Sequence, residues 1–234
     1  MTNSIAEQVA EALRHRQRAV GAVTKAQAQY EIAVLDHVTA RIRAAYPDTT
    51  HLTFEHFSHN REVELRALWA IESDGAERRV LDARLDMTSL DVTELDEDLT
   101  TALAGHDSVA WSAVRPEPVG RHWILDLPPY DRATRIAELV RAHHPDAQLL
   151  TLDLADRTPR ITSVTVVNAT ELNLEIHARG DRPLWPDDTD RSISGLVRQI
   201  QALPHLRARY LARVGGPRDH TAFFLLPQPK AGEE

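Results

Sequence analysis

Tyr46-Pro47-Asp48, closing one helix-like run, recurs as His144-Pro145-Asp146, closing another. Further along, His122-Trp-Ile-Leu-Asp-Leu-Pro128 recurs as Thr221-Ala-Phe-Phe-Leu-Leu-Pro227. The first pair lies 98 positions apart and the second 99. An offset held to one residue over that much chain indicates a folding unit copied in tandem. Two similar units on one chain are expected to pack about a pseudo-twofold axis, as the halves of a symmetric dimer do.

Both copies carry the same succession of patterns. A helical run comes first, with Ile32, Leu35, Val38 and Ile42 in one copy and Ile136, Leu139 and Val140 in the other. Strands follow. In the first copy Leu52, Phe54 and His56 alternate with Thr53 and Glu55, and Val63, Leu65, Ala67, Trp69 and Ile71 keep one face apolar. Ser73-Asp74-Gly75 marks a turn before a strand at 80–85. In the second copy Leu150, Leu152 and Leu154 share a face, and Leu172, Leu174, Ile176 and Ala178 alternate with polar neighbours. Acidic loops at 91–98 and 187–190 lead into a second helix in each copy, where carboxylates suit the positive helix end. Two strands close each unit, at 109–114 and 123–127, then at 206–214 and 223–226.

The resulting order, α-β-β-β-α-β-β, predicts an α+β fold with antiparallel sheets, each wet on one face and buried on the other. The units span 29–128 and 131–227. Residues 1–28 form a helical arm without a counterpart in the second copy, and 228–234 read as a disordered tail. Gly21 is the point where the long first helix is expected to bend or break.

At 234 residues the chain is long enough for two cores of this size. No apolar run approaches the roughly 18 residues of a membrane span, and the amino terminus lacks the basic-then-apolar order of a signal peptide. A cytoplasmic protein without membrane contact is expected. The absence of cysteine excludes disulfides, thiolate-held iron–sulfur clusters and Cys-based zinc sites. A formal charge of −8 argues against broad nucleic-acid binding.

Three groups of residues are candidates for function. His56 and His59 flank a strand end where a loop brings two imidazoles near Glu62, a metal-binding arrangement; ordinary histidines at a surface strand end explain the same residues. Arg207, Arg209 and Arg213 fall on one side of the strand expected at 206–214, a stripe suited to phosphates or to salt bridges. Ile5, Val9 and Leu13, continued by Val20 and Val23, make an apolar stripe on the arm. That stripe either clamps the two units together or is left for a partner or a second chain. No G-x-S-x-G elbow, phosphate-cradling glycine loop or H-E-x-x-H is present, so neither a catalytic residue nor a cofactor is assigned.

The α-β-β-β-α-β-β order over both units resembles the class I secretion-chaperone fold. That resemblance rests on the order of elements, so it implies no particular binding residues. It implies a non-enzymatic protein that holds an extended peptide or protein partner. The alternatives are a metal-dependent enzyme at His56 and His59, and a nucleic-acid-associated protein using the Arg207 segment.

Overall fold

The structure, a computed structural model, describes residues 5–83, 90–105, 108–118, 120–156, 158–167, 173–178, 183–213 and 219–228. Helix α1 (Ile5–Ala45) leads into β1 (His51–Phe57), β2 (Glu62–Ile71), β3 (Glu77–Asp82), α2 (Val92–Ala102), a 3-10 turn at Ala110–Ala113, β4 (Val114–Pro116) and β5 (Trp123–Asp126). The second unit runs α3 (Arg132–Arg141), β6 (Ala147–Asp153), β7 (Arg160–Val167), β8 (Asn173–His177), α4 (Asp187–Ala202), α5 (Pro204–Tyr210), β9 (Leu211–Arg213) and β10 (Thr221–Leu225). The two five-stranded antiparallel sheets have the orders β3-β2-β1-β5-β4 and β8-β7-β6-β10-β9, which are the same order five strands on. This is an α+β fold of two similar units.

The duplication extends to single side chains. Leu35, Val38 and Ile42 of α1 are fully buried, and Ala133, Ile136 and Val140 stand 98 positions later on α3, likewise buried. The same spacing relates Leu95, Leu99 and Ala102 of α2 to Ile193, Val197 and Ile200 of α4. Each unit closes with the same clamp. Arg43 donates to the Pro128 carbonyl at 2.8 Å, and Arg141 to the Pro227 carbonyl at 2.7 Å. These guanidinium bonds tie the end of each first helix to the exit of each last strand.

Four expectations are corrected. First, β2 does not keep one face for its whole length. Thr53 pairs with Ala67 but Phe54 with Leu65, so Arg66 is bulged. The bulge shifts the alternation by one: Val63 and Leu65, then Leu68, join the core, while Trp69 turns to the other face. A register shift recurs at Thr151/Leu152, 98 positions later. Second, residues expected as strands at 109–114 and 206–214 are largely a 3-10 turn and helix α5, with only short strands beyond. Pro204 sits in the first turn of α5, where its missing N–H and fixed φ favour helix. Third, Gly21 does not interrupt α1, which is continuous for 41 residues. Fourth, the units do not meet through equivalent surfaces. Helix α4 lies on the 3-10 turn and on α1, but its counterpart α2 packs on α1 and β2 and, among the described residues, forms no comparable seam with α5. The pseudo-twofold is replaced by a head-to-tail contact.

The seam is partly polar. Arg132, 6% exposed, donates to Gln199 at 2.7 Å and to Asp36 of α1. Buried Glu31 accepts from the Ser108 hydroxyl at 2.9 Å and the Val109 N–H at 3.1 Å. Ile32, Val109 and Ala202 form a small apolar cluster there, apart from the two main cores. Gly195 admits the close approach, since a Cβ there would lie 2.6 Å from the Ser112 carbonyl oxygen. Among the described residues no helix is long and apolar enough to cross a membrane.

Candidate functional site

The structure distributes the residues singled out by sequence rather than gathering them. His56, at the end of β1, packs edge-on against Trp111 with ring centroids 5.5 Å apart. His59 is exposed in the following turn beside Phe57, and Glu62 is exposed and accepts from the Asn60 amide. Among the described residues no three His, Asp or Glu side chains come together as a metal site. Arg207 and Arg209 are exposed on α5, not on a strand. Two positions apart on a helix means about 200° of rotation, so they point to nearly opposite sides of α5, and Arg213 stands on a different element, β9. Arg218, the sequence Arg179-Gly180-Asp181 and Asn168 lie outside the described residues.

The arm does not clamp the units. Ile5 is 80% exposed, Val9 53%, Leu13 51%, Val20 58% and Val23 69%. Residues 7–27 are exposed apart from half-buried Ala10, and the packed part of α1 begins near Ala28. The reason is length: at about 1.5 Å per residue, the helix runs past the sheet it covers and has nothing beneath it. Its apolar stripe therefore faces outward.

A second feature was not visible in the sequence. An open groove of about 780 Å³ lies along the seam, between α4 and the edge of β7, with Trp111 and Ser112 of the first unit at one end. Its origin lies in how the two copies treat the same edge. In the first unit β3 covers only Ala67–Ile71 of β2. Beyond it the Leu65 N–H donates to Asp96 Oδ1 of α2 at 2.7 Å, and the Val63 N–H donates to the Thr100 hydroxyl at 2.9 Å. Helix α2 thus closes the strand edge with side chains. Burial raises the Asp96 carboxyl above its ordinary value even though the Leu65 N–H pulls the other way.

In the second unit the pairing of Leu152 with Ile161 matches that of Phe54 with Leu65. Ile161 therefore stands where Leu65 stands, and Pro159 where Val63 stands. Asp96 and Thr100 correspond to Ser194 and Arg198, 98 positions on. Proline has no N–H to satisfy, and serine is too short to close the edge as aspartate does. Helix α4 leans instead on the 3-10 turn. Ile161, Ser194 and Arg198 all line the groove that results.

The charge of the lining also changes between copies. Glu64, which with Glu55 holds Arg66 in the first unit, gives way to exposed Arg160 at the groove's rim. Arg191 and Arg198 line the groove as well. Asp187 and Asp190 line the groove near the start of α4, where Asp190 accepts from the Trp185 indole at 3.0 Å. No protein-family model, curated protein or solved structure matches the chain.

Proposed function

We propose that this is a non-enzymatic cytoplasmic binding protein, a two-unit α+β scaffold that holds a protein partner through its projecting arm. The observation that carries this reading is the outward apolar stripe. Ile5, Val9, Leu13, Val20 and Val23 fall within an arc of about 80° on the helix, and each is more than half exposed. The exposed stretch of α1 is about 30 Å long, long enough to fill a helix-binding groove. Arg16 lies within the same arc, between Leu13 and Val20. The fitting occupant is a different protein that presents an apolar surface with a carboxylate opposite Arg16. A second copy paired in parallel would set Arg16 against Arg16, which disfavours it. The resemblance of the expected element order to that of secretion chaperones points the same way but carries no residue across.

A photo-crosslinking residue at Val9, in the full chain expressed in its native host, tests the reading. A distinct heterologous adduct is expected, lost in Leu13→Glu/Val20→Glu and weakened in Arg16→Glu. Adducts only with a second copy, or none above a crosslinker placed at exposed Arg78, would overturn it.

A further inference from the structure

We infer that the outer edge of β8 pairs antiparallel with β8 of a second copy of this chain, joining two second-unit sheets about a twofold axis at Ile176. The inference is independent of the arm. Among the described residues the two sheets end in four edge strands, β3, β4, β8 and β9. Three of these are blunted against strand addition. Strand β3 skips Val80, since Leu68 pairs with Leu81 and Trp69 with Arg79, and it carries Arg78 and Arg79. Strands β4 and β9 are three residues long, the first ending in Pro116 and the second in Arg213. Strand β8 differs. Its five residues pair with β7 without a register shift, and Leu174 stands on it 54% exposed.

Backbone parity and charge together select the register. The Ala178 N–H donates to the Thr162 carbonyl at 2.9 Å. Alternation along an antiparallel ladder then turns the N–H and C=O groups of Leu174 and Ile176 toward β7, and those of Asn173, Glu175 and His177 outward. A second β8 bonds this outer row only when outward residues stand opposite outward residues. Centring the pair on Glu175 meets that condition but confronts two carboxylates. Centring it on His177 sets imidazole against imidazole and carries Leu174 past the end of the strand. Centring it on Ile176 places Glu175 of each copy opposite His177 of the other. Neither side chain has to give up a contact for this. Glu175 keeps the Ser163 hydroxyl on one oxygen, and the other, 3.6 Å from its own His177, comes to face a second imidazole. Ile176 meets Ile176 on the axis as a closely spaced non-hydrogen-bonded pair, and Leu174 lies opposite exposed Ala178. One register thus pairs the charges and covers the apolar row, and this self-complementarity names a second copy as the occupant.

The chain has no cysteine, so single introduced ones report the register directly. Under mild oxidation the full-length Ile176→Cys variant is expected to form a disulfide-linked dimer, because a residue on the axis faces its own copy. Glu175→Cys and His177→Cys, each offset along the strand from its copy, should crosslink at least about tenfold more slowly. Sedimentation equilibrium of the wild type should show a monomer–dimer equilibrium. Glu175→Lys and His177→Glu are each expected to raise the dimer Kd about tenfold, and the double variant should restore it, since lysine then faces glutamate across the axis. Leu13→Glu/Val20→Glu should leave the dimer unchanged, which separates this edge from the arm. The inference is overturned if the wild type sediments as a monomer throughout, or if Glu175→Cys or His177→Cys crosslinks as fast as Ile176→Cys. It is also overturned if the double variant stays as weak as the single ones, or if the arm variant abolishes the dimer. The cysteine comparison keeps the test open should a charge variant fail to fold.

Discussion

His51 shows how far a polar residue is enclosed on the face of a sheet that carries no helices. It is 2% exposed, stacked parallel to Trp69 at 6.2 Å, with Nδ1 3.0 Å from the Thr50 hydroxyl and Nε2 3.7 Å from Glu77. Burial lowers its pKa below 6.5, and the attraction of Glu77 and Asp126 does not offset this. The folded state thus holds the neutral ring while the unfolded chain takes up a proton first, so stability is present above pH 6.5 and falls as pH drops through the folded pKa. Urea melts of wild type and His51→Gln between pH 7.5 and about 5 should show a steeper acid loss in the wild type; parallel curves would remove the claim. Glycines give a paired test at the same scale. Gly195→Ala drives a methyl toward the Ser112 carbonyl and should cost about 1–3 kcal/mol. Gly21→Ala meets nothing within 4 Å on an exposed helix and should stabilise that helix by about 0.5–1 kcal/mol. Thermal melts of the two variants should move in opposite directions. Neither role was legible in the sequence, because the clash at Gly195 is with a residue of the other unit.

Elements were legible where one period ran unbroken. The burial of Leu35, Val38 and Ile42 follows their helical spacing, and Leu52 and Phe54 are buried as their alternation requires. Reading failed where the period changed within a run. A bulge at Arg66 inverts the faces of β2 midway, and no local signal in Val63–Ile71 marks it. Residues 204–210 did carry a usable signal: Pro204 suits a first helical turn, and Leu206 and Tyr210 are four apart and both pack on the second core. The arginines between them suggested a strand stripe that the helix disperses. The paired clamps were hidden as well, although Arg43 and Arg141 are 98 positions apart. Arg43→Met and Arg141→Met each remove a charged hydrogen bond to a strand-end carbonyl, at 2.8 and 2.7 Å. A loss of about 1–2 kcal/mol in each is expected from chemical denaturation. Unequal losses, with one near zero, would show that the two clamps are not equivalent despite their geometry.

For the whole molecule, the question is why two copies of one fold sit so differently. Each unit has its own core, and the apolar cluster joining them is small. Cooperation between the units therefore rests heavily on the polar seam, above all on Arg132, which spans Asp36 of one unit and Gln199 of the other. The groove borders the same seam, and two of its lining residues, Ser194 and Arg198, stand where the first unit has Asp96 and Thr100. Without the strand register those residues had no partners to be compared with, so the groove could not be read from the chain. Arg132→Met keeps the aliphatic stem but removes both bonds. Since Asp36 is 42% exposed on its side chain and can return to water, the cost should be about 1–2 kcal/mol rather than that of a fully buried pair. Its signature should lie in coupling more than in size. Scanning calorimetry of the wild type should give one transition with equal calorimetric and van't Hoff enthalpies, and Arg132→Met should broaden or split it as the units begin to melt separately. A single sharp transition in the variant, merely displaced in temperature, would mean that the apolar cluster at Ile32 and Ala202 couples the units by itself.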